Sequence, residues 1–243
     1  MNANSVYQSF LVSKDYFDSL AVFSDGPLHP GAAGANDWLF GGSDLTGLRL
    51  LEIGLGTGWT HRYLSMLGAD VVSIEPNNLM RQRSLEAGVQ KSRVLSMRAE
   101  DLTEAEVAQS GPFDGLVVQA VTGFLDGGLG MIERLFRLSG ARRLWLAEWY
   151  GAALGKGSAP LRAHVDLGEF VTSAADLGLM DLRLHLGQDP AKPATLSRAE
   201  HQLQAVFPEA SEFGGQTEAL AKIHRDFDLR FEGMKPFLWL DAS

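Results

Sequence analysis

An apolar segment followed by three alternating glycines and a helical segment constrains the fold more than any other feature of this sequence. Residues 48–53 suit a buried β-strand. Gly54, Gly56 and Gly58 follow, and glycine lets the backbone adopt positive φ and approach a ligand without an intervening Cβ. Residues 60–67 have a helical pattern, so the free N–H groups of that helix would face an anion bound above the loop. The segment therefore predicts a strand–loop–helix unit that binds a nucleotide-type ligand.

An acidic residue ends the next predicted strand, about twenty residues beyond the glycine loop, where dinucleotide-type sites bind the ribose hydroxyls. Residues 70–74 form this apolar strand, and Glu75 and Pro76 follow it. Glu75 alone is also compatible with a solvated strand end. Together with the glycine loop it indicates a cofactor site.

The spacing of the glycines separates two classes of cofactor. Nicotinamide-dependent Rossmann enzymes use G-x-G-x-x-G, whereas this chain has G-x-G-x-G with Glu52 two positions before the first glycine. Residues 52–58 resemble motif I of the class I S-adenosylmethionine-dependent methyltransferases, and residues 74–76 resemble the ribose-binding strand end of that family. The spacing thus favours the sulfonium cofactor, with a nicotinamide-dependent oxidoreductase as the weaker alternative.

The resemblance covers about residues 25–185 and the last predicted strand. Residues 98–102 follow a third predicted strand, where the family binds the adenine, and residues 113–121 resemble its fourth strand. The resemblance implies which residues contact each part of the cofactor. They are Glu52 at the amino group; Gly54, Leu55, Gly56, Thr57 and Gly58 at the methionine moiety; Glu75 and Pro76 at the ribose; Glu100, Asp101 and Leu102 at the adenine; and Gln119 and Val121 near the sulfur.

Candidate catalytic residues are fewer, because methyl transfer is an in-line displacement that needs a base only for a protonated acceptor. His29 lies in a turn-rich loop, residues 25–34, and would titrate near neutrality as a base, although a structural hydrogen-bonding role is equally compatible. Tyr150 and Glu148, at the end of a fifth predicted strand, are candidates to orient the acceptor. Trp59 offers an aromatic face that suits a sulfonium.

Composition narrows the function classes. The chain has 243 residues and no cysteine, and its six histidines show no metal-binding spacing, so we expect neither thiol chemistry nor a metal site. A net charge of −9 disfavours nucleic acid as a partner. Neither a signal peptide nor a membrane span is expected, which makes a cytoplasmic protein the default. The expected partner is a small-molecule acceptor; the sequence fits a monomer or a homodimer.

Alternating strand and helix patterns predict one α/β domain over residues 1–243, with a doubly wound, Rossmann-like sheet of seven strands. The resemblance implies that the last strand is antiparallel. Within this domain we expect an N-terminal cover over residues 1–45, a cofactor-binding core over 46–188, a helical insertion over 189–236 and the last strand over 237–243.

The predicted function is transfer of a methyl group from S-adenosylmethionine to an O, N or S atom of a small molecule. A second interpretation is a protein that binds S-adenosylmethionine but does not methylate, because an intact binding loop does not prove turnover.

Overall fold

The computed structural model describes residues 16–23, 26–149, 167–189 and 235–243. Seven α-helices, three short 3-10 helices and seven strands lie in these ranges. The α-helices are α1 Tyr16–Phe23, α2 Ala32–Phe40, α3 Trp59–Met66, α4 Asn78–Glu86, α5 Glu104–Ser110, α6 Leu129–Ser139 and α7 Leu167–Asp176. The strands are β1 Arg49–Ile53, β2 Asp70–Ile74, β3 Val94–Leu95, β4 Gly115–Gln119, β5 Arg143–Trp149, β6 Leu182–Asp189 and β7 Lys235–Ala242.

The strands form a single sheet in the order β3-β2-β1-β4-β5-β7-β6. Strands β1 to β5 pair in parallel, and β7 runs antiparallel to both β5 and β6. The predicted seven-stranded Rossmann-like sheet with an antiparallel last strand is confirmed. Because the strand order reverses between β1 and β4, the carboxyl ends of these two strands define the crevice where open α/β sheets bind ligands.

Two apolar cores cover the two faces of the sheet. On one face, α2 and α3 pack on the sheet around Phe40, Leu64 and Trp145. On the other face, α6 and α7 pack around Leu135 and Ala174. A sheet buried on both faces explains why β1, β2 and β4 are nearly continuous apolar runs.

Element boundaries differ little from the sequence-based predictions. The sequence pattern predicts a helix over residues 35–40 and a third strand over 93–97, whereas α2 begins at Ala32 and β3 spans only Val94–Leu95. Helix α1 lies in the N-terminal cover, which the sequence predicts to consist of helix and loop. The predicted insertion, apart from its first residue and last two, lies outside the described residues.

Helix α1 lies across the end of the sheet that carries the site. Asn77 Nδ2 donates to Asp18 Oδ1 at 2.8 Å, which fastens α1 beside the end of β2. Phe17 packs edge-to-face on Phe124, with ring centroids 4.8 Å apart, just beyond the end of β4. Helix α1 therefore contacts residues that follow β2 and β4, the two strands on either side of β1. Among the described residues, no helix is both long and apolar enough to cross a lipid bilayer.

Candidate functional site

The glycine loop between β1 and α3 has the backbone that its sequence predicts. Gly54, Gly56 and Gly58 have φ of 82°, 54° and 84°, a region that side-chain-bearing residues avoid. Gly54 N and Leu55 N donate to Ile74 O at 3.0 and 3.1 Å, which ties the loop to the end of β2. The loop is thus a fixed part of the sheet edge.

Close packing makes glycine necessary at two of these positions. A Cβ at Gly54 would lie 2.4 Å from Val121 Cγ1, because the ends of β1 and β4 meet there. A Cβ at Gly58 would lie 2.8 Å from Val89 Cγ2. Space above Gly56 is limited by Leu28 of the N-terminal loop, whose Cδ1 would lie 3.2 Å from an added Cβ.

Glu75 holds the glycine loop from the end of β2. Its Oε2 accepts the N–H of Gly56 at 2.9 Å, and its Oε1 accepts the N–H of Asn77 at 2.9 Å. Burial raises the pKa of Glu75 to about 7, although the hydrogen bonds from Asn77 and Gly56 and the charge of Arg81 oppose the rise. This carboxyl therefore lies where the sequence predicts the ribose acid, and it titrates near neutrality.

Glu52 lies one residue before the end of β1 and is buried. Ser73 Oγ donates to Glu52 Oε2 at 2.5 Å. His61 of α3 contacts the same pair, with Nδ1 at 2.7 Å from Ser73 Oγ and 3.7 Å from Glu52 Oε2. Glu52, which the sequence predicts to bind the amino group of the cofactor, is therefore hydrogen-bonded through only one of its two carboxylate oxygens.

Gln119, at the end of β4, belongs to a second buried polar cluster. Thr60 Oγ1 donates to Gln119 Oε1 at 2.6 Å, and Gln119 Nε2 donates to Asn36 Oδ1 at 3.1 Å. Asn36 Nδ2 donates in turn to Thr60 Oγ1 at 3.3 Å. These three side chains form a closed ring of hydrogen bonds, which fixes the orientation of the Gln119 carboxamide.

His29 lies beside this ring and is buried. Its Nε2 is 3.4 Å from Thr60 Oγ1, and its Nδ1 is 3.4 Å from Pro30 O. Burial lowers the pKa of His29 to about 4, against the opposing effect of the Pro30 carbonyl. The structure therefore differs from the expectation that His29 titrates near neutrality: desolvation keeps the imidazole neutral. A role in catalysis stays a prediction for this residue.

The three residues predicted at the adenine have different environments. Glu100 Oε1 accepts the N–H of Asp126 at 2.9 Å and lies 3.1 Å from Arg98 Nη2. Asp101 is exposed. Leu102 is 1% exposed and its side chain belongs to the apolar core, so this side chain does not line a polar site.

Other predicted residues divide between described and undescribed positions. Glu148 is buried at the end of β5, where its Oε2 accepts the N–H of Thr122 at 2.9 Å. Trp59 is partly exposed, with the guanidinium of Arg62 5.3 Å from its ring centroid. Pro76 follows Glu75, and its carbonyl accepts from Arg81 Nη1 at 2.7 Å. Tyr150 lies outside the described residues.

Thr57, within the glycine loop, has a buried hydroxyl. It is 7% exposed, and its Oγ1 makes no hydrogen bond. Buried polar groups rarely lack a partner, and a ligand group is one explanation when they do. Thr57 thus offers an unused donor and acceptor at the predicted place of the methionine moiety.

Sequence reasoning missed the residues whose hydrogen bonds hold Glu52 and Gln119 in place. They are Asn36, Thr60, His61 and Ser73. A signal was present for Ser73, because a hydroxyl in an apolar strand directly opposite Glu52 in the sheet register indicates a buried polar pair. Nothing comparable marks Asn36, whose partner Gln119 lies far along the chain. In the described ranges no cluster of acidic or histidine side chains has the arrangement of a metal site.

The sequence matches a known family model over part of its length. Residues 51–139 match the profile of a family described as a methyltransferase domain. No curated protein matches the chain significantly in sequence.

Three solved structures illustrate the likeness in fold. Phosphoethanolamine N-methyltransferase 2 of Haemonchus contortus, in complex with S-adenosyl-L-methionine, is 16% identical with a TM-score of 0.63; the match covers 98% of this chain and 60% of that one. The cyclopropane synthase MmaA2 of Mycobacterium tuberculosis is 15% identical with a TM-score of 0.61, covering 100% of this chain and 99% of that one. YjhP of E. coli is 14% identical with a TM-score of 0.61, covering 94% and 99%. This chain therefore spans about 60% of the length of the Haemonchus enzyme.

At these identities the solved structures show a likeness in fold alone, that of a seven-stranded sheet with an antiparallel last strand. The family model described as a methyltransferase domain matches residues 51–139, from β1 to the end of α6.

Proposed function

We propose that this protein transfers a methyl group from S-adenosylmethionine to an O, N or S atom of a small-molecule acceptor. The observation that carries the proposal is the contact between Glu75 and Gly56, which joins the predicted ribose acid to the predicted methionine loop. The fold supports methyl transfer as the reaction class, and the residues of the site support the cofactor.

The chemistry of the site fits this cofactor. Glu75 presents a carboxylate to which ribose hydroxyls can donate, and Glu52 Oε1, which accepts no hydrogen bond from the described residues, can accept from an ammonium. Thr57 Oγ1 likewise has no partner among the described residues. These groups together match a ligand with an amino-acid part and a ribose.

The protein's own contribution to the reaction is binding and alignment. When bound, the cofactor supplies an electrophilic methyl group on a sulfonium. Glu75 and the glycine loop hold two ends of the ligand relative to the sheet edge, and this alignment lowers the entropic part of the barrier. The Gln119 carboxamide, held by Asn36 and Thr60, provides a fixed neutral dipole at the end of β4.

A neutral His29 affects which acceptors are suitable. Its imidazole has a pKa of about 4 because it is buried, so it is a weak base at neutral pH. We therefore favour an acceptor whose nucleophilic atom can attack without first losing a proton to a protein base, such as a thioether, the unprotonated form of an amine or an ionised oxygen. The net charge of −9 supports a small acceptor over nucleic acid.

The test is methyl transfer to an acceptor pool. Purified protein is incubated with methyl-labelled S-adenosylmethionine and a cell extract that has been separated into a fraction below about 1 kDa, a protein fraction and a nucleic-acid fraction. The proposal expects label in the small-molecule fraction, and less of it with Glu75→Gln protein at the same protein concentration and a limiting concentration of cofactor. Cofactor binding without label in any fraction would favour the non-methylating alternative, and label in protein or nucleic acid alone would contradict the small-molecule acceptor.

A further inference from the structure

Glu52, Ser73 and His61 form a buried polar cluster between the sheet and α3. Glu52 and Ser73 are directly opposite in the register of β1 and β2, and His61 is in the first turn of α3. Their exposed fractions are 3%, 0% and 5%. Three elements that meet at the glycine loop thus each contribute one polar side chain to the cluster.

Hydrogen-bond accounting assigns the direction of each contact. Ser73 has one hydroxyl proton, and its Oγ donates that proton to Glu52 Oε2 at 2.5 Å. The contact of 2.7 Å between Ser73 Oγ and His61 Nδ1 therefore requires that Nδ1 carry a proton and donate it. His61 therefore donates to Ser73, and Ser73 donates to Glu52 Oε2.

The second carboxylate oxygen is left without a partner. Glu52 Oε1 accepts no hydrogen bond from the described residues, whereas Oε2 is fixed. Oε1 is not one of the fully enclosed polar atoms that lack a partner, so water or a ligand can reach it. A ligand ammonium at Oε1 would satisfy this oxygen and pair the charge.

The neighbouring residues of α3 reinforce the cluster. Thr60 donates to Gln119 on β4, while His61, the next residue, bonds to Ser73 on β2. The first turn of α3 is therefore fastened to strands on both sides of β1. The Glu52 carboxylate consequently has a fixed position relative to the glycine loop.

We propose that Ser73 and His61 are positioning residues that hold the Glu52 carboxylate so that its free oxygen, Oε1, binds the ammonium of the cofactor's amino-acid part. This inference rests on the proposed function. A carboxylate held in its binding orientation loses less conformational freedom when the ligand arrives, so positioning is expressed as affinity. If the cluster had only a structural role, its variants would change the stability of the protein without changing the relative affinity for ligands with and without the amino-acid part.

The test compares two ligands that differ only in the part that Glu52 is proposed to bind. S-Adenosylhomocysteine has the amino-acid part, and 5′-methylthioadenosine lacks it but keeps the adenine and ribose. Dissociation constants for both are measured by calorimetry on wild-type protein, Ser73→Ala and Ser73→Thr. The matched control is Ser139→Ala, which removes a buried serine hydroxyl that hydrogen-bonds to Phe136 O at the end of α6.

We expect Ser73→Ala to weaken the binding of S-adenosylhomocysteine about tenfold or more and the binding of 5′-methylthioadenosine less than about twofold. Ser73→Thr, which keeps the hydroxyl, should restore most of the difference between the ligands, and Ser139→Ala should leave both affinities unchanged. Expressing the result as a ratio of affinities on one protein preparation removes the effect of partial unfolding.

Equal weakening of both ligands by Ser73→Ala, or no weakening of either, would overturn the positioning role. If wild-type protein binds S-adenosylhomocysteine, such a result counts against the inference alone. If wild-type protein binds neither ligand, the proposed function fails and the inference fails with it.

Discussion

Glu75 Oε2 accepts the N–H of Gly56 at 2.9 Å, so the acid that ends β2 also orders the glycine loop that follows β1. Its other oxygen accepts the N–H of Asn77 at the start of α4. One carboxyl therefore joins two strand ends that a nucleoside-type ligand would bridge.

Replacing Glu75 by glutamine should weaken S-adenosylhomocysteine binding about tenfold or more, because a hydrogen bond to a charged group contributes about 1.5–3 kcal/mol. The amide NH2 would face the N–H of Gly56 or of Asn77 in either orientation, so thermal stability should fall as well. Calorimetry and thermal unfolding measure the two effects. Glu104→Gln, at an exposed position, is the matched control and should leave both the affinity and the thermal stability nearly unchanged.

The affinity for S-adenosylhomocysteine should increase as the pH rises through about 7. Burial raises the pKa of Glu75 to about 7, and hydroxyl donors favour its ionised form. Dissociation constants between pH 5.5 and 8.5 give the profile. A Glu75→Gln protein should lose this dependence; a profile that persists unchanged in the variant would assign it to another group.

The contribution of Glu75 to stability without ligand should have the opposite dependence on pH. Between the usual carboxyl pKa of 4.5 and about 7, the folded protein binds more protons at Glu75 than the unfolded chain does, so the free energy of unfolding falls as the pH rises. His29, with its pKa lowered to about 4 from 6.5, stabilises the fold increasingly as the pH rises over that range. Denaturant unfolding of Glu75→Gln should therefore show a more positive slope with pH than wild-type protein between pH 4.5 and 7.

Gly54→Ala should destabilise the protein by about 2–5 kcal/mol through two additive causes. Positive φ costs alanine about 1–2 kcal/mol, and the new Cβ would overlap Val121 Cγ1, which costs about 1–3 kcal/mol. Gly47→Ala is the matched control, because its φ of 76° is similar and nothing lies within 4 Å of the added Cβ. Adding Val121→Ala to Gly54→Ala should recover the steric part only. Equal losses for the two glycine variants would contradict the close approach.

Thr60→Val should destabilise the protein by about 1–3 kcal/mol, because the Gln119 oxygen would remain buried without its donor. Valine is nearly isosteric with threonine, so the loss reports on hydrogen bonding rather than on packing. Denaturant unfolding measures it. A variant as stable as wild-type protein would mean that the ring of Thr60, Gln119 and Asn36 contributes little.

Local patterns were sufficient to predict the cofactor half of the fold. The strand before Gly54, the glycines and the acid after β2 are contiguous in sequence, and each follows from backbone geometry or from the position of parallel strand ends. The predicted strands were found because both faces of this sheet are buried, which produces short apolar runs between turn residues.

The residues that fasten the site were not predictable in this way. Asn36 and Gln119 are 83 positions apart, and only the packing of α2 on the sheet brings them into contact. The expectation that His29 titrates near neutrality was wrong because a turn-rich sequence does not show that His29 is buried against α3 and β7. Trp239 of β7 donates its Nε1 proton to Pro30 O at 3.0 Å, a contact between opposite ends of the chain.

The most direct test of the central claim is calorimetric titration of the purified protein with S-adenosylmethionine, S-adenosylhomocysteine and NAD. We predict that both sulfur ligands bind to wild-type protein, more weakly to Glu75→Gln, and that NAD does not bind. Binding of NAD alone, or of none of the three, would contradict the assignment of the glycine loop and Glu75 to an S-adenosylmethionine site.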